Sequence, residues 1–274
     1  MRILVTDGMD KSAMAQLRAN GHEVVEQFYE PAELGAALRD FDCVVIRSAT
    51  KIRKAQLEVA KDSQLKLIIR GGVGVDNIDV ADAEAMGIAV RNTPNASSNA
   101  VAECAIALMF SCARFVSHAG HTMREGKWEK KGYAKGFELG GKTLGIVGYG
   151  RIGRFLCRRL LSLGADVTLV ARREEALLYA EAEGCRPLRL GDSRRAGGGL
   201  YPLCYGHSVI FNTVPARVLD RELLMRMERD TLLLDLASAP FCASDDDIRE
   251  AGMAGTIRYV RAPSLPGSYA PRDA

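Results

Sequence analysis

The residues Gly148–Gly153 have the types and spacing of a phosphate-binding turn. They follow the order Gly-x-Gly-x-x-Gly, after a β-branched apolar run at 143–147 and before a helical pattern of apolar residues at 154–163. In this context the first glycine permits a tight turn, the second lets the backbone approach a pyrophosphate, and the third lets the helix pack on the strand. Free amides at a helix start attract anions. The pattern predicts dinucleotide binding, with a glycine-rich turn that binds nothing as the alternative. The candidate contact residues are Gly148, Tyr149, Gly150, Arg151, Ile152 and Gly153.

Two arginines, Arg172 and Arg173, stand at the end of the next predicted strand, 167–170. An acidic residue there would accept hydrogen bonds from the ribose hydroxyls of NAD. Arginine instead pairs with a phosphate through two parallel hydrogen bonds. The sequence therefore favours NADP over NAD, unless both arginines are simply solvated.

Composition limits the other function classes. The chain has 274 residues, enough for two domains, and a formal net charge of +3, too small to indicate nucleic-acid binding. It lacks the run of about 18 apolar residues that a membrane span needs, and it begins on a predicted strand rather than on a signal peptide. The seven cysteines are scattered and form no Cys-x-x-Cys pair, which favours reduced thiols in a cytoplasmic protein over disulfides or a metal site.

Strand and helix patterns alternate along the chain, which is typical of an α/β fold with parallel sheets. Residues 1–95 predict a flavodoxin-like doubly wound substrate domain, with one of its helices over 75–86. Residues 96–141 predict an interdomain helix and linker, and the helix, at 97–115, is apolar on most of its circumference and therefore expected to be buried. A second βα series, 142–274, predicts a Rossmann NAD(P)-binding domain.

Six stretches carry a resemblance to a known family. They are 47–51, 70–79, 92–94, 100–103, 126–128 and 148–153. Residues 1 to about 156 resemble D-2-hydroxyacid dehydrogenases, most closely the phosphoglycerate dehydrogenase type. The resemblance implies NAD(P)-dependent hydride transfer on a small anionic substrate by a two-domain, usually dimeric enzyme.

The same resemblance implies a substrate site in the first domain. Arg47 and Arg70 would face the anion, and the backbone of Gly72, Val73 and Gly74 would hold its carboxylate, because a glycine-rich loop exposes N–H groups. For Arg70 the alternative is a salt bridge that closes the loop.

The second half departs from this family where chemistry is done. Ser238 stands at the place of the family's catalytic arginine, no histidine follows His207, and after Glu250 the only acid is Asp273. The family's catalytic Arg, Glu and His are therefore not found, and the catalytic residues are unknown. The candidate cofactor contacts in this half are Asn212, Thr213, Val214, Leu236 and Ala237.

Residues of about 144–274 also resemble the dehydrogenase component of dipicolinate synthase. The matching stretches are 148–151, 170–172, 212–215, 234–240 and 262–267, with 270–271 beyond. This resemblance implies NADP-dependent oxidation of a cyclic dicarboxylic precursor, and Arg258 and Arg261 could serve its second carboxylate unless they are strand-edge charges. Both families are expected to continue with a further helix after the last residue. A third function, non-catalytic nucleotide binding, follows from the missing proton acceptor, since such groups contribute about 10²–10⁴-fold to the rate.

Overall fold

The computed structural model describes residues 1–191, 200–263 and 265. The described chain divides into two units, Met1–Ser97 and Ser98–Ala274. The region 98–141 therefore groups with the second unit.

The first unit is a parallel sheet of five strands in the order β2-β1-β3-β4-β5. This is the doubly wound order of flavodoxin-like domains, as the sequence predicted. Buried aliphatic side chains fill the space between sheet and helices, among them Leu4, Val44, Ile46 and Ile68. Its elements are β1 (Arg2–Val5), α1 (Lys11–Ala19), β2 (Glu23–Glu26), α2 (Pro31–Leu38), β3 (Cys43–Ile46), α3 (Lys54–Ala60), β4 (Leu67–Arg70), α4 (Val80–Ala85) and β5 (Ala89–Asn92).

The second unit holds a parallel sheet of six strands in the order β11-β10-β9-β6-β7-β8. Counted within the unit this is 3-2-1-4-5-6 from the β8 edge, the Rossmann order, which confirms the predicted fold class. The order reverses between β6 and β9, where such sheets open a crevice at their carboxyl ends. Its elements are α5 (Ser98–Ala113), α6 (Val116–Arg124), β6 (Thr143–Val147), α7 (Arg151–Ser162), β7 (Asp166–Ala171), α8 (Glu174–Ala182), β8 (Arg186–Arg189), β9 (His207–Asn212), α9 (Arg221–Arg226), β10 (Thr231–Asp235), α10 (Asp245–Ala254) and β11 (Ile257–Arg261).

The helix predicted over 75–86 is shorter than expected, because its first part is tied to the segment after β3. Asn77 is buried, and its Nδ2 donates to the carbonyl oxygens of Arg47 and Thr50, both at 2.7 Å. Ile78 forms a parallel bridge with Ile52. These contacts hold residues 77–78 outside a helix, which begins only at Val80.

Helix α5 buries one side in the core of the second unit through Val101, Ala102, Ala105 and Met109. Ala107 on the opposite side is exposed, so the helix is less enclosed than its apolar sequence predicted. Among the described residues no single helix is long and apolar enough to cross a membrane, although α5 and α6, bent by 63°, meet the length and composition criteria together.

Candidate functional site

The turn between β6 and α7 is built around two crowded glycines. Gly148 has φ +104°, and a Cβ there would lie 2.5 Å from Thr213 Oγ1 and 2.7 Å from Val214 Cγ2. A Cβ at Gly153 would overlap the carbonyl oxygen of Gly148. Both positions therefore require glycine, the first for its backbone conformation and for close packing against β9, the second for close packing of α7 on the turn.

Most amides of this turn have no acceptor among the described residues. The Gly148 N–H donates to Val170 O at 2.9 Å, and the Arg154 N–H donates to Gly150 O at 3.1 Å. The five N–H groups between these two, those of residues 149–153, have no hydrogen-bond partner within the described chain. A Cβ at Gly150 would meet no described atom within 4 Å, so the position beside this second glycine is open. A row of free donors at the start of a 12-residue helix is a site for an anion.

The side chains of the turn divide into two groups. Tyr149 is 5% exposed and belongs to the core, so it offers the site only its backbone. Burial and the neighbouring Glu183 carboxylate raise the pKa of Tyr149 to about 12, which keeps the phenol neutral. Arg151 is exposed and Ile152 half-buried, and both belong to the first turn of α7.

Arg172 and Arg173 lie directly after β7, at the carboxyl edge of the sheet next to the turn. Both are exposed, and within the described residues neither guanidinium has an ion-pair partner. The next residue, Glu174, is instead paired with Arg189 of β8. The position therefore offers two uncompensated positive charges to an anion.

The residues at and just after the end of β9 form hydrogen bonds that hold the glycine turn in place. Thr213 donates to Val147 O through both its amide, at 3.0 Å, and its hydroxyl, at 2.9 Å. Asn212 is completely buried, and its Nδ2 donates to Val214 O at 3.0 Å and to Asp235 Oδ1 at 2.8 Å. Asn212 is thus fixed within the protein, whereas Thr213 and Val214 touch the glycine turn itself.

Asp235 at the end of β10 is a buried carboxylate that sequence analysis missed. Besides Asn212 it accepts hydrogen bonds from the amides of Ala237 at 3.3 Å and Cys242 at 2.8 Å, and from the Tyr259 hydroxyl at 3.1 Å. Burial raises the pKa of Tyr259, so its hydroxyl stays protonated and continues to donate. This carboxylate links the carboxyl ends of β9 and β10 to the middle of β11. An acidic residue closing the apolar run 231–235 was the available signal.

The segment after β10 contains the other candidates of this edge. Leu236 and Ala237 are buried, and the Leu236 amide donates to Asn212 O at 2.9 Å. Ser238, predicted from the resemblance to replace a catalytic arginine, is exposed. His207 is buried at the start of β9, the opposite end of the strand, where burial lowers its pKa.

Arg258 and Arg261, considered for a second carboxylate, have protein contacts. Arg261 pairs with Asp245 and lies 4.1 Å from the centre of the Phe241 ring. Arg258 donates to Cys112 O of α5 at 3.4 Å. Among the described residues no group of three or more His, Cys, Asp or Glu side chains could hold a metal ion.

In the first unit, Arg47 and Arg70 lie at the ends of adjacent strands, since Ile46 pairs with Arg70 in the sheet. Arg47 is exposed. Arg70 lies against Gly72, where a Cβ would overlap the guanidinium, and its Nη1 donates to Gly71 O at 3.3 Å. No carboxylate pairs with Arg70 in this fully described unit, so the predicted loop-closing salt bridge is not formed.

The loop after β4 presents free donors. Its carbonyls are held from behind, because the Asn92 side chain donates to Val73 O at 2.6 Å and the Thr93 amide donates to Gly72 O at 3.0 Å. The N–H groups of Val73 and Gly74 have no acceptor in this fully described unit, and Val73 is exposed. These amides and Arg47 could bind a carboxylate, and the role of Arg70 stays a prediction.

Asp7 fixes the segment that carries Arg47. Its Oδ2 accepts from the amides of Arg47 at 2.7 Å and Thr50 at 3.0 Å, and its Oδ1 accepts from the Thr50 hydroxyl. Burial alone would raise the pKa of Asp7, but the hydrogen bonds from Thr50 and Arg47 together lower it. The Asp7 carboxylate therefore fixes the backbone of the segment that carries Arg47, a residue of the candidate substrate site.

The two sheets and the glycine turn define a parallel α/β protein with a candidate dinucleotide site. A family model described as "D-isomer specific 2-hydroxyacid dehydrogenase, catalytic domain" matches residues 3–256. The chain therefore belongs to the D-isomer specific 2-hydroxyacid dehydrogenase family, whose members are NAD(P)-dependent dehydrogenases of small hydroxyacids. The match extends through the region that also resembles dipicolinate synthase, and thus favours the first interpretation.

Two curated relatives illustrate the sequence similarity. The hydroxypyruvate reductase of Thermotoga maritima is 45% identical over 168 residues, which cover 61% of this chain and 54% of that protein. The D-3-phosphoglycerate dehydrogenase of Methanocaldococcus jannaschii is 41% identical over 167 residues, or 61% of this chain and 31% of that protein. The matched region thus spans about half or less of these relatives' lengths.

Solved structures resemble a larger part of the chain. The TT0316 protein of Thermus thermophilus is 29% identical with a TM-score of 0.74, over 97% of this chain and 83% of that one. The D-lactate dehydrogenase of Escherichia coli is 21% identical with a TM-score of 0.75. The match covers 95% of this chain and 82% of that one. At that identity the second likeness shows the fold alone.

Proposed function

We propose that this chain binds a nicotinamide dinucleotide at the turn 148–153 and takes part in hydride transfer on a small anionic 2-hydroxyacid or 2-oxoacid. The observation that carries the proposal is the group of five amides, 149–153, which are unpaired within the described chain at the start of α7, with an open position beside Gly150. Membership of the dehydrogenase family supports the same conclusion.

Each group has a separate task in this proposal. The amides of the turn bind the pyrophosphate, and Thr213 and Val214 fix the turn against β9. When bound, the nicotinamide supplies the hydride acceptor or donor. Arg47 and the amides of Val73 and Gly74 bind the substrate carboxylate, as oriented backbone donors do for oxyanions.

We further propose that NADP is preferred over NAD. The support is that Arg172 and Arg173 are exposed at the end of β7 and unpaired among the described residues. A hydrogen bond to a charged group contributes about 1.5–3 kcal/mol, so replacing both arginines by alanine should weaken NADPH binding at least about 10-fold. NADH affinity should change little.

Calorimetric titration with NADPH and NADH tests this preference. Arg229→Ala, at an exposed arginine of the same unit, is the matched control and should leave both affinities unchanged. Equal affinities of the wild-type protein for the two nucleotides would refute the NADP preference while leaving the binding site itself intact.

A second candidate function is nucleotide binding without turnover. The observation that favours it is a serine, Ser238, at the position where the dehydrogenase resemblance implies a catalytic arginine. Incubation with NADP or NAD and either D-3-phosphoglycerate or D-lactate, or with NADPH or NADH and hydroxypyruvate, separates the two. A change in absorbance of the reduced nicotinamide supports the dehydrogenase, and binding without any change supports the second candidate.

We also propose a homodimer in the cytoplasm. The dehydrogenase resemblance supports the dimer, and seven free cysteines fit a reducing compartment. Light scattering of the purified protein tests the dimer, which a monomeric mass would refute.

A further inference from the structure

Two cysteines that the proposed function does not use lie together in the second unit. Cys157 is on α7, and Cys185 is in the turn between α8 and β8. Both belong to the same buried cluster, with exposed fractions of 0% and 4%. Their thiols are near enough that each shifts the pKa of the other.

Contacts of the neighbouring residues fix this pairing independently. Arg158, next to Cys157, donates to Glu183 Oε1 through Nε at 2.9 Å and Nη2 at 2.6 Å. A Cβ on Gly184 would lie 4.0 Å from Leu161, which is one helical turn after Cys157 on the same face of α7. The turn 183–185 is therefore held against the face of α7 that carries Cys157.

The two thiols differ in access. Cys185 lines a surface cleft of about 350 Å³ between α8, β7 and β8, together with Gly184, Arg186 and Pro187. Cys157 lies behind it and is completely buried. A small oxidant in the cleft would therefore meet Cys185 first.

The surroundings also favour reaction at Cys185. The interaction with Cys157 lowers the pKa of the Cys185 thiol. The interaction with Cys185, together with burial, raises the pKa of the Cys157 thiol. Burial and the charge of Glu183 act in the opposite direction on Cys185, but the effect of Cys157 is larger and the pKa of Cys185 is lowered overall. Thiolate character decides which cysteine reacts with peroxide.

We propose that Cys157 and Cys185 are a modification site that forms a reversible disulfide on reaction with a peroxide. The Cys185 thiolate attacks one peroxide oxygen, the O–O bond breaks, and a sulfenic acid and water form when H₂O₂ is the oxidant. The Cys157 sulfur then attacks the Cys185 sulfur, giving the S–S bond and a second water. The two thiols lose two electrons and two protons, which reduce one H₂O₂ to two H₂O. Dithiothreitol reduces the Cys157–Cys185 disulfide back to two thiols by thiol–disulfide exchange.

Peptide mapping of the full chain tests the proposal. The reduced protein is treated with H₂O₂, denatured, alkylated with iodoacetamide and digested. The expected result is a peptide linking Cys157 to Cys185 as the main disulfide within the chain, which disappears after dithiothreitol. Alkylation of both cysteines after peroxide treatment, or their separate oxidation to sulfinic acids, would overturn it.

Single variants show the order of reaction. In Cys157→Ser, Cys185 should stop at the sulfenic acid and be trapped by dimedone. Cys204→Ser removes a buried cysteine of another cluster, whose thiol donates to Leu223 O, and should retain the cross-link. Cross-linking of Cys185 to a different cysteine in the wild-type protein would contradict the assigned pair, whether or not either variant folds.

Discussion

Gly150→Ala gives the most direct test of the glycine turn. Gly150 precedes α7 with φ −83° and ψ −162°, which alanine also adopts, and its new Cβ would meet no described atom within 4 Å. The methyl group therefore leaves the fold intact, because a glycine replaced at a compatible conformation is neutral or stabilising by about 0.4–1 kcal/mol. It adds bulk at the second glycine of the turn, where the backbone of this motif approaches the pyrophosphate.

The loss of affinity follows from the contacts that this methyl group would block. A hydrogen bond between an amide and a charged phosphate contributes about 1.5–3 kcal/mol, so losing one contact weakens nucleotide binding about 10- to 150-fold. Calorimetric titration with NADPH and NADH measures it, and thermal melting verifies the fold. Gly252→Ala in α10, where a Cβ also meets no described atom within 4 Å, is the matched control and should bind like wild type. Unchanged affinity of a folded Gly150→Ala protein would refute the assignment of the turn.

Three further substitutions test the supporting structure. Gly153→Ala should lower the free energy of unfolding by about 1–3 kcal/mol in urea melts, because its Cβ would overlap the carbonyl oxygen of Gly148. Asp235→Asn should lower it by about 1–3 kcal/mol for each buried donor left unpaired, since the carboxylate accepts four hydrogen bonds. Asp7→Asn should cost about 1–3 kcal/mol at pH 7 through its weakened hydrogen bonds. The pKa of Asp7 is lower in the folded protein than its unfolded value of 3.8. The difference in the free energy of unfolding between wild type and Asp7→Asn is therefore fully present above pH 3.8. It is lost as the pH falls through the pKa of the folded state.

Each of these substitutions has its own check. Asp245→Asn removes an exposed carboxylate paired with Arg261 and should change stability by about 0–1 kcal/mol, unlike Asp235→Asn. Urea melts of wild type and Asp7→Asn at pH 7 and pH 3 measure the pH dependence, and an undiminished difference at pH 3 would contradict it. A Gly153→Ala protein as stable as wild type would show that α7 can move away from the turn.

The sheets and the glycine turn were predictable because their signals are local. The alternation of apolar strands and helical patterns indicated both parallel sheets, and Gly148 and Gly153 marked two crowded positions of the turn. The strand β8 was missed, since its sequence contains Pro187 between arginines. Proline is tolerated there because β8 is at the edge of its sheet.

The polar supports of the site could not be predicted, because their partners are distant in sequence. Asp235 meets Asn212 and Tyr259 only after β9, β10 and β11 have become neighbours. Asn77 reaches back to Thr50 and delays the start of α4, although the local sequence favours a helix there. The inward direction of Tyr149 likewise depends on the packing of α7 and α8 rather than on the turn motif.

The buried carboxylate of Asp235 also fixes a loop in which one exposed residue can be replaced. It binds the amides of Ala237 and Cys242, so the segment between them is a short loop whose two ends are fastened to one anchor. Ser238 projects from this loop into solvent, and no side-chain hydrogen bond of the described residues involves it. A different side chain can therefore be installed at position 238 while Asp235 keeps both ends of the loop in place.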